Sequence, residues 1–573
     1  MSGIKLRGTR TVLWLALLST LLGFALLPPA CFATDVEVTT FGPKQYLRTT
    51  DKINFYSDSF RGVHGKGKVI IQNGDGNGSN LVSDALVLIN GVSVFDPSKI
   101  NQPGYKLEAP IGMDEKNSIL VLLNGEPGSY LTVQTAAEVT PDATSTRVIG
   151  IAGGAVSVQN SLGDSLTLEI PPLALDEDTP ISISALPNAL PGPVAQNIYP
   201  GAVLGPSGTF FSLPAKVTIT FRRPPENTGQ SLLFNLQNSQ LAMPIANQTS
   251  MTDSIVGEID HFSPPLVVGL PTEEELGSIL SFIAAIPYTD PQNLMYQANA
   301  LIGLAKKADL LDYVELGDEA WVDVRRIMED GLTRLYDTPL PSNPCGQYTI
   351  LMRQLLKAID ILALTQEVHE PLLDRMCRFS LSPQYLFLDV GETWQPGITT
   401  ALFDPNGKQR SCSVVNWYSA NLSVVDIAAN GNVCIPTGVR PGITNVSANC
   451  DGLLAWTEVS VCSLSGTWQG QYSGLTTGKD GQPKELSGAV TASFTQVGTS
   501  VSAVIMGVNV TGTNKNGTVT LGPVQVPCNQ GTSTCPAGAS GTLSSDCSTL
   551  SGSFYVDRPR TITGTFSIHF TAP

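Results

Sequence analysis

Three times in the first 125 residues a short apolar run closes on Asn-Gly. Lys68-Val69-Ile70-Ile71 leads to Asn73-Gly74, Ala85-Leu86-Val87-Leu88-Ile89 to Asn90-Gly91, and Ile119-Leu120-Val121-Leu122-Leu123 to Asn124-Gly125. Asn-Gly accepts the positive φ angles of a tight hairpin, which larger side chains resist, so the pattern predicts strand, turn, strand. A β-sandwich over residues 34–140 is the expectation.

The segment before it has the composition of a secretion signal. Lys5, Arg7 and Arg10 precede a nearly unbroken apolar run, Thr11 to Leu27, which stops at Pro28-Pro29. Cys31-Phe32-Ala33 then sets small side chains at the −3 and −1 sites of a cut after Ala33. Residues 1–33 are therefore expected to be a signal peptide. The chain is expected to be exported, to the cell surface or medium, with the periplasm as the alternative. No later segment approaches the ~20 apolar residues of a bilayer span, so no transmembrane segment is expected after cleavage. The net charge of −16 and the lack of a basic stripe exclude nucleic acid and anionic lipid as expected partners.

Of ten cysteines, nine follow the cleavage site, all beyond residue 340. Export permits disulfides, and nine is odd, so at least one thiol is free or bonded elsewhere. Zinc is disfavoured because no CxxC pair occurs and only four histidines exist.

The rest of the chain divides by period. Residues 141–271 again read as strands. Gly153-Gly154-Ala155-Val156-Ser157-Val158, Leu166 to Leu175, Gly205-Pro206-Ser207-Gly208, Phe211 to Ile219 and His261-Phe262-Ser263 resemble a ZU5 domain. The resemblance implies a sandwich that docks other proteins. Pro171-Pro172 must turn the chain, since neither proline extends a ladder.

From 272 to 377 the period becomes helical, and a bundle of four helices is expected. Thr272 and Glu275 form a capping box before Leu276–Ile286, and Thr289-Asp290-Pro291 opens a second helix. Asp318 is expected to open a third, with Trp321, Val324, Ile327, Met328 and Leu335 on one face. The fourth carries Ile350, Leu351, Leu355, Ile359 and Leu362 and ends before Pro371. A continuous helix from Gln347 to His369 would be about 33 Å long, which disfavours a Cys345–Cys377 bridge.

Residues 378–463 return to strands. Val390-Gly391-Glu392, Asn416-Trp417-Tyr418-Ser419, Val424-Val425-Asp426 and Pro441-Gly442-Ile443-Thr444 resemble a bacterial Ig-like domain of the BIG2 type, with Trp417 in its core. Cys412, Cys434, Cys450 and Cys462 depart from that family's pattern. Cys412 begins one strand and Cys450 ends its expected neighbour, so these two are the candidate disulfide. Residues 464–573 alternate small and apolar residues with frequent glycines, which suits a small closed barrel. The opening Gly466-Thr467-Trp468 is similar to lipocalins. Such a barrel holds one small apolar ligand or is filled by its own side chains, and filling is the favoured expectation.

The fold class expected is therefore multidomain and mainly β: tandem sandwiches and a C-terminal barrel, with one helical insert. No HExxH, GxSxG or phosphate loop occurs, and His64, His261, His369 and His569 fall in different segments, so no enzyme is expected. The one metal candidate is a calcium loop of alternating oxygen donors, Asn73, Asp75 and Asn77, then Gly78, with Asp84 at the twelfth place. A polar hairpin tip accounts for the same residues. The function expected is non-catalytic binding, adhesion or scaffolding, with a protein or polysaccharide of the cell envelope as partner. The alternatives are an enzyme or accessory protein acting on extracellular polymer, and a periplasmic carrier using the barrel.

Overall fold

The computed structural model describes residues 35–572 apart from 50–51, 76–77, 97–105, 188–189, 263–264, 478–480, 529–532 and 558–560. The expected signal peptide, Ser263 and Asn77 lie outside them.

The chain is mainly β. Two four-stranded sheets form the first sandwich. One orders Val36–Leu47, Tyr130–Val139, Gly65–Asn73 and Lys106–Met113; the other orders Asn54–Arg61, Lys116–Asn124, Asp84–Ile89 and Val92–Phe95. Strict alternation drives their pairing: along Lys116–Asn124, Asn117, Ile119, Val121 and Leu123 are buried and their neighbours face outward. Of the three Asn-Gly pairs that close the first segment's apolar runs, Asn90-Gly91 alone makes the tight hairpin, with φ of 52° and 77° joining Ile89 to Val92. Asn73 ends its strand differently, because its side-chain amide bonds Val82 across the following loop.

The second sandwich packs a five-stranded sheet, centred on Phe210–Thr220, on a six-stranded one centred on Leu266–Gly269 and Asn197–Gly205. The chain leaves its ladder at Pro171-Pro172, as proline requires.

Five helices follow among the described residues: α1 (Glu273–Ala284), α2 (Pro291–Leu310), α3 (Val314–Asp337), α4 (Gln347–Leu362) and α5 (Gln366–Leu373). The capping box of Thr272 and Glu275 is formed in both directions, and Asp290 caps α2 through the Asn293 amide. Two expectations are corrected. The third helix starts at Val314, after Asp312 takes a left-handed φ of 59°, one turn earlier than Asp318. The long fourth helix is two helices, broken where Ala363 adopts φ 50° and ψ 44°. The break folds α5 back, so Cys377 reaches Cys345 and the disfavoured bridge forms, with Cα atoms 5.3 Å apart. The helices share one apolar core with the first sandwich, from Val38 and Phe41 through Leu301 to Leu355.

The third sandwich pairs Tyr385–Asp389 in parallel with Leu453–Cys462, which continues antiparallel into Gly442–Cys450 and Val415–Ser419. Trp417 is buried and donates from its indole nitrogen to the Gly431 carbonyl at 2.9 Å. Cys412 and Cys450 are disulfide-bonded, Cα atoms 5.5 Å apart. Finally, eight strands from Gly466–Thr477 to Ile562–Ala572 pair each with the next, and the last with the first, in a closed barrel.

Candidate ligand-binding barrel

Alternation decides which side chains enter the barrel. On Gly466–Thr477 the inward positions are Trp468, Gly470, Tyr472 and Gly474, while Gln469, Gln471 and Ser473 face solvent. The neighbouring strand Pro483–Val497 sends in Gly488, Val490, Ala492 and Phe494, and Ile562–Ala572 sends in Gly564, Phe566 and Ile568. These inward side chains are therefore carbon, apart from the Tyr472 hydroxyl and the Trp468 indole nitrogen.

One end is plugged. Trp468 is completely buried, meets Phe494 edge-on with ring centres 6.2 Å apart, and donates to the Leu464 carbonyl at 2.9 Å. This end is also the mounted end. Phe387 of the third sandwich lies under Gly517, where a Cβ would come within 2.9 Å of its ring. Cys462 and Cys547 bridge sandwich to barrel, and Asn514 donates to Asp389 at 2.6 Å.

Above Trp468 the barrel is hollow. A cavity of about 540 Å³ is lined by Val490, Phe494, Val510, Leu521, Phe554 and Ile568 among others, and by no charged side chain among the described residues. The expectation of a filled barrel is thus corrected, and the reason is glycine. Tyr472 lies directly opposite Gly488, and Phe554 opposite Gly564. A Cβ would come 3.0 Å from the Tyr472 ring at Gly488 and 2.6 Å from the Phe554 ring at Gly564. Each aromatic therefore spreads over a bare stretch of wall instead of crossing the lumen, the pairing by which rings cover strand glycines. The two rings meet edge-to-face at 5.8 Å. Ala492, Ala537 and Ala539 keep other inward positions short. A lining of this kind buries apolar surface and supplies only tyrosine hydroxyls for polar contact.

The calcium candidates sit far away in sequence, in the first sandwich. Asn73 Oδ1 accepts from the Val82 amide at 2.8 Å and its Nδ2 donates to the Val82 carbonyl at 3.1 Å. Asp75 Oδ1 accepts from the Ser79 amide at 2.7 Å. Asp84 opens the next strand, and its Oδ1 is buried without a partner. Asn73 and Asp75 thus spend side-chain oxygens on closing their own loop, and no cluster of three or more His, Cys, Asp or Glu assembles among the described residues.

Among the described residues the odd cysteine is Cys434, buried and unbonded, and Cys528–Cys535 completes four disulfides. Burial pushes its thiol up to about 12. Sequence counting required one such residue without identifying it. No described helix is long and apolar enough to cross a membrane.

The chain matches no family model and no curated protein. Among solved structures it is similar to domains 5–6 of the S-layer protein SbsC, at 11% identity over 34% of this chain and 95% of that one, with a TM-score of 0.14. The transferrin-binding protein B mutant Trp-176-Ala from Haemophilus parasuis Hp5 is similar at 8% identity, over 30% of this chain and 51% of that one, with a TM-score of 0.15. Likenesses of this size carry no functional assignment.

Proposed function

We propose that this chain is an exported, non-catalytic binding protein whose C-terminal barrel holds one small apolar ligand. The observation that carries the reading is the hollow barrel: about 540 Å³ of space, walled by aliphatic and aromatic carbon, with Phe494 of its lining packed edge-on against the buried Trp468. An empty apolar cavity of this size forfeits packing that side chains would otherwise provide, so an occupant recovers contacts the fold leaves unmade. The ZU5-like and Ig-like resemblances of the two later sandwiches, and the lipocalin-like start of the barrel, support the same division of labour. Sandwiches and helices serve as a mount toward the envelope, and the barrel serves as the container. Four disulfides support an oxidising destination.

The test is organic extraction of the protein purified from its native host, with mass spectrometry of the extract, followed by titration of the stripped protein with a naphthylamine probe. One apolar molecule per chain, displaced by the probe, supports the reading. A barrel with intact circular dichroism that releases nothing and takes up no probe overturns it.

A further inference from the structure

A second cavity, of about 720 Å³, opens where α4 meets the second and third sandwiches. Its chemistry is opposite to that of the barrel. Arg353 and Lys357 lie one turn apart on α4 and both line it, with Gln354 between them. Asp260 enters from the last residues of Ser254–His261, and Trp456 from Leu453–Cys462.

Two of these side chains are left in costly states by the fold itself. The Arg353 guanidinium is half-buried, with its pKa lowered by desolvation alone, and it makes no hydrogen bond or ion pair among the described residues. A desolvated cation without a partner is rare, because burial removes hydration that only an anion or several acceptors replace. Gln354 is buried too, and its Oε1 has no partner. The same cleft exposes a large aromatic surface, since Trp456 is 65% exposed. Alternation along its strand turns Trp456 outward while Ala455 and Thr457 face the core.

Asp260 sets the charge balance. Its pKa is raised first by burial, with Lys357 pulling it down and Glu258 pushing it up, and among the described residues it forms no ion pair with Arg353. The chain carries a net charge of −16 and repels polyanions at long range. An acidic ligand is therefore held here only by local cations, Arg353 with Lys357 one turn away, within the ~8 Å over which charge acts at physiological salt.

We infer that this cleft binds an anionic saccharide: Arg353 pairs with its carboxylate or sulfate, Trp456 stacks on a sugar face, and Gln354 and Lys357 meet its oxygens. The guanidinium fork suits a planar two-oxygen anion, and the indole offers a flat apolar face beside it. A lipid in the barrel and a glycan in this cleft would occupy separate sites on one chain, so either assignment stands without the other.

The experiment is a titration of the full chain, by calorimetry and tryptophan fluorescence, with oligogalacturonate, dextran sulfate and neutral dextran at physiological salt. The expected result is saturable binding of at least one anionic saccharide, a change in tryptophan emission, and no binding of dextran. Binding of oligogalacturonate alone assigns a carboxylate ligand, binding of dextran sulfate alone a sulfate, and binding of both a site that reads either anion. Arg353→Gln should weaken binding at least tenfold and Arg353→Lys less, because a point charge survives. Trp456→Ala, at an exposed position, should weaken binding severalfold and remove the emission change while leaving the melting temperature and barrel-probe affinity in place. Failure of both anionic saccharides to bind, equal binding of neutral dextran, or unchanged affinity in Trp456→Ala or in Arg353→Gln overturns the inference.

Discussion

The barrel makes a quantitative demand on its ligand, and a homologous series of alkyl chains reads it. Each methylene that moves from water into an apolar cavity contributes about 0.8 kcal/mol, or roughly a fourfold tighter Kd. Affinity should therefore rise about fourfold per carbon while the chain still finds room in the 540 Å³ above Trp468, then level off once the tail reaches solvent. Four further carbons within the cavity correspond to about 3.2 kcal/mol, roughly 200-fold. Filling the space from the protein side should shift the plateau. Ala539 points inward beside Phe554, and Ala539→Phe adds a ring to the lumen. Displacing three or four methylenes costs about 2.4 to 3.2 kcal/mol, or roughly 50- to 200-fold for the longest ligands, with little effect on the shortest. Competition against a fluorescent probe supplies the Kd values, and calorimetry should show the negative heat-capacity change of apolar burial. Affinity that is flat with chain length, or an Ala539→Phe variant matching the parent for long chains, would refute the hollow-barrel argument.

Three shorter predictions follow from other parts of the molecule. Thiol titration of the native protein should find Cys434 unreactive, because burial keeps it protonated; after denaturation without reductant it should show one thiol per chain if Cys31 has left with the leader, and two if it has not. Asp389, fully buried at the barrel mount, is pushed up to about 6, first by desolvation, with Gln496 pulling down and Glu392 pushing up. A raised carboxyl pKa stabilises the folded state fully below the ordinary value of 3.8, and that contribution is lost as pH rises through about 6. The barrel should therefore melt higher at pH 5 than at pH 7.5, by about 1.4 kcal/mol of stability, and Asp389→Asn should flatten the dependence; a variant keeping the parent's pH slope would assign the effect elsewhere. Protonation also fits the geometry, since Asp389 Oδ2 is buried without a hydrogen-bond partner, where a charged oxygen costs more than a protonated one. Millimolar calcium should leave the melting temperature unchanged, because Asn73 and Asp75 already bond Val82 and Ser79, whereas a rise saturating with calcium would restore the loop as a metal site.

What the sequence determined alone was local. Apolar runs closing on Asn-Gly marked the first strands and period-two alternation the barrel, and burial alternates position by position in Lys116–Asn124 and in Gly466–Thr477, but not in buried strands such as Leu266–Gly269. The capping box of Thr272 and Glu275, the Asp290-Pro291 start and the Asn90-Gly91 hairpin were legible because their stabilising bonds join residues within a few positions of each other. Each feature whose outcome rested on distant partners was decided by tertiary structure. Cys345 meets Cys377 because Ala363 breaks a helix that periodicity would have continued. Asn73-Gly74 has the letters of a hairpin, but Val82 claims its amide. The hollow barrel depends on register: Gly488 must fall opposite Tyr472, and Gly564 opposite Phe554, before the aromatics lie along the wall. Alternate inward glycines and alanines were the available sign, but their meaning depends on what stands across the strand. The cleft of Arg353 and Trp456 joins side chains 103 residues apart on bodies with separate cores, so only the packing of those bodies left the cation without a partner. Local propensity acts within a turn or a strand, whereas cavities and uncompensated charges are properties of the space between elements.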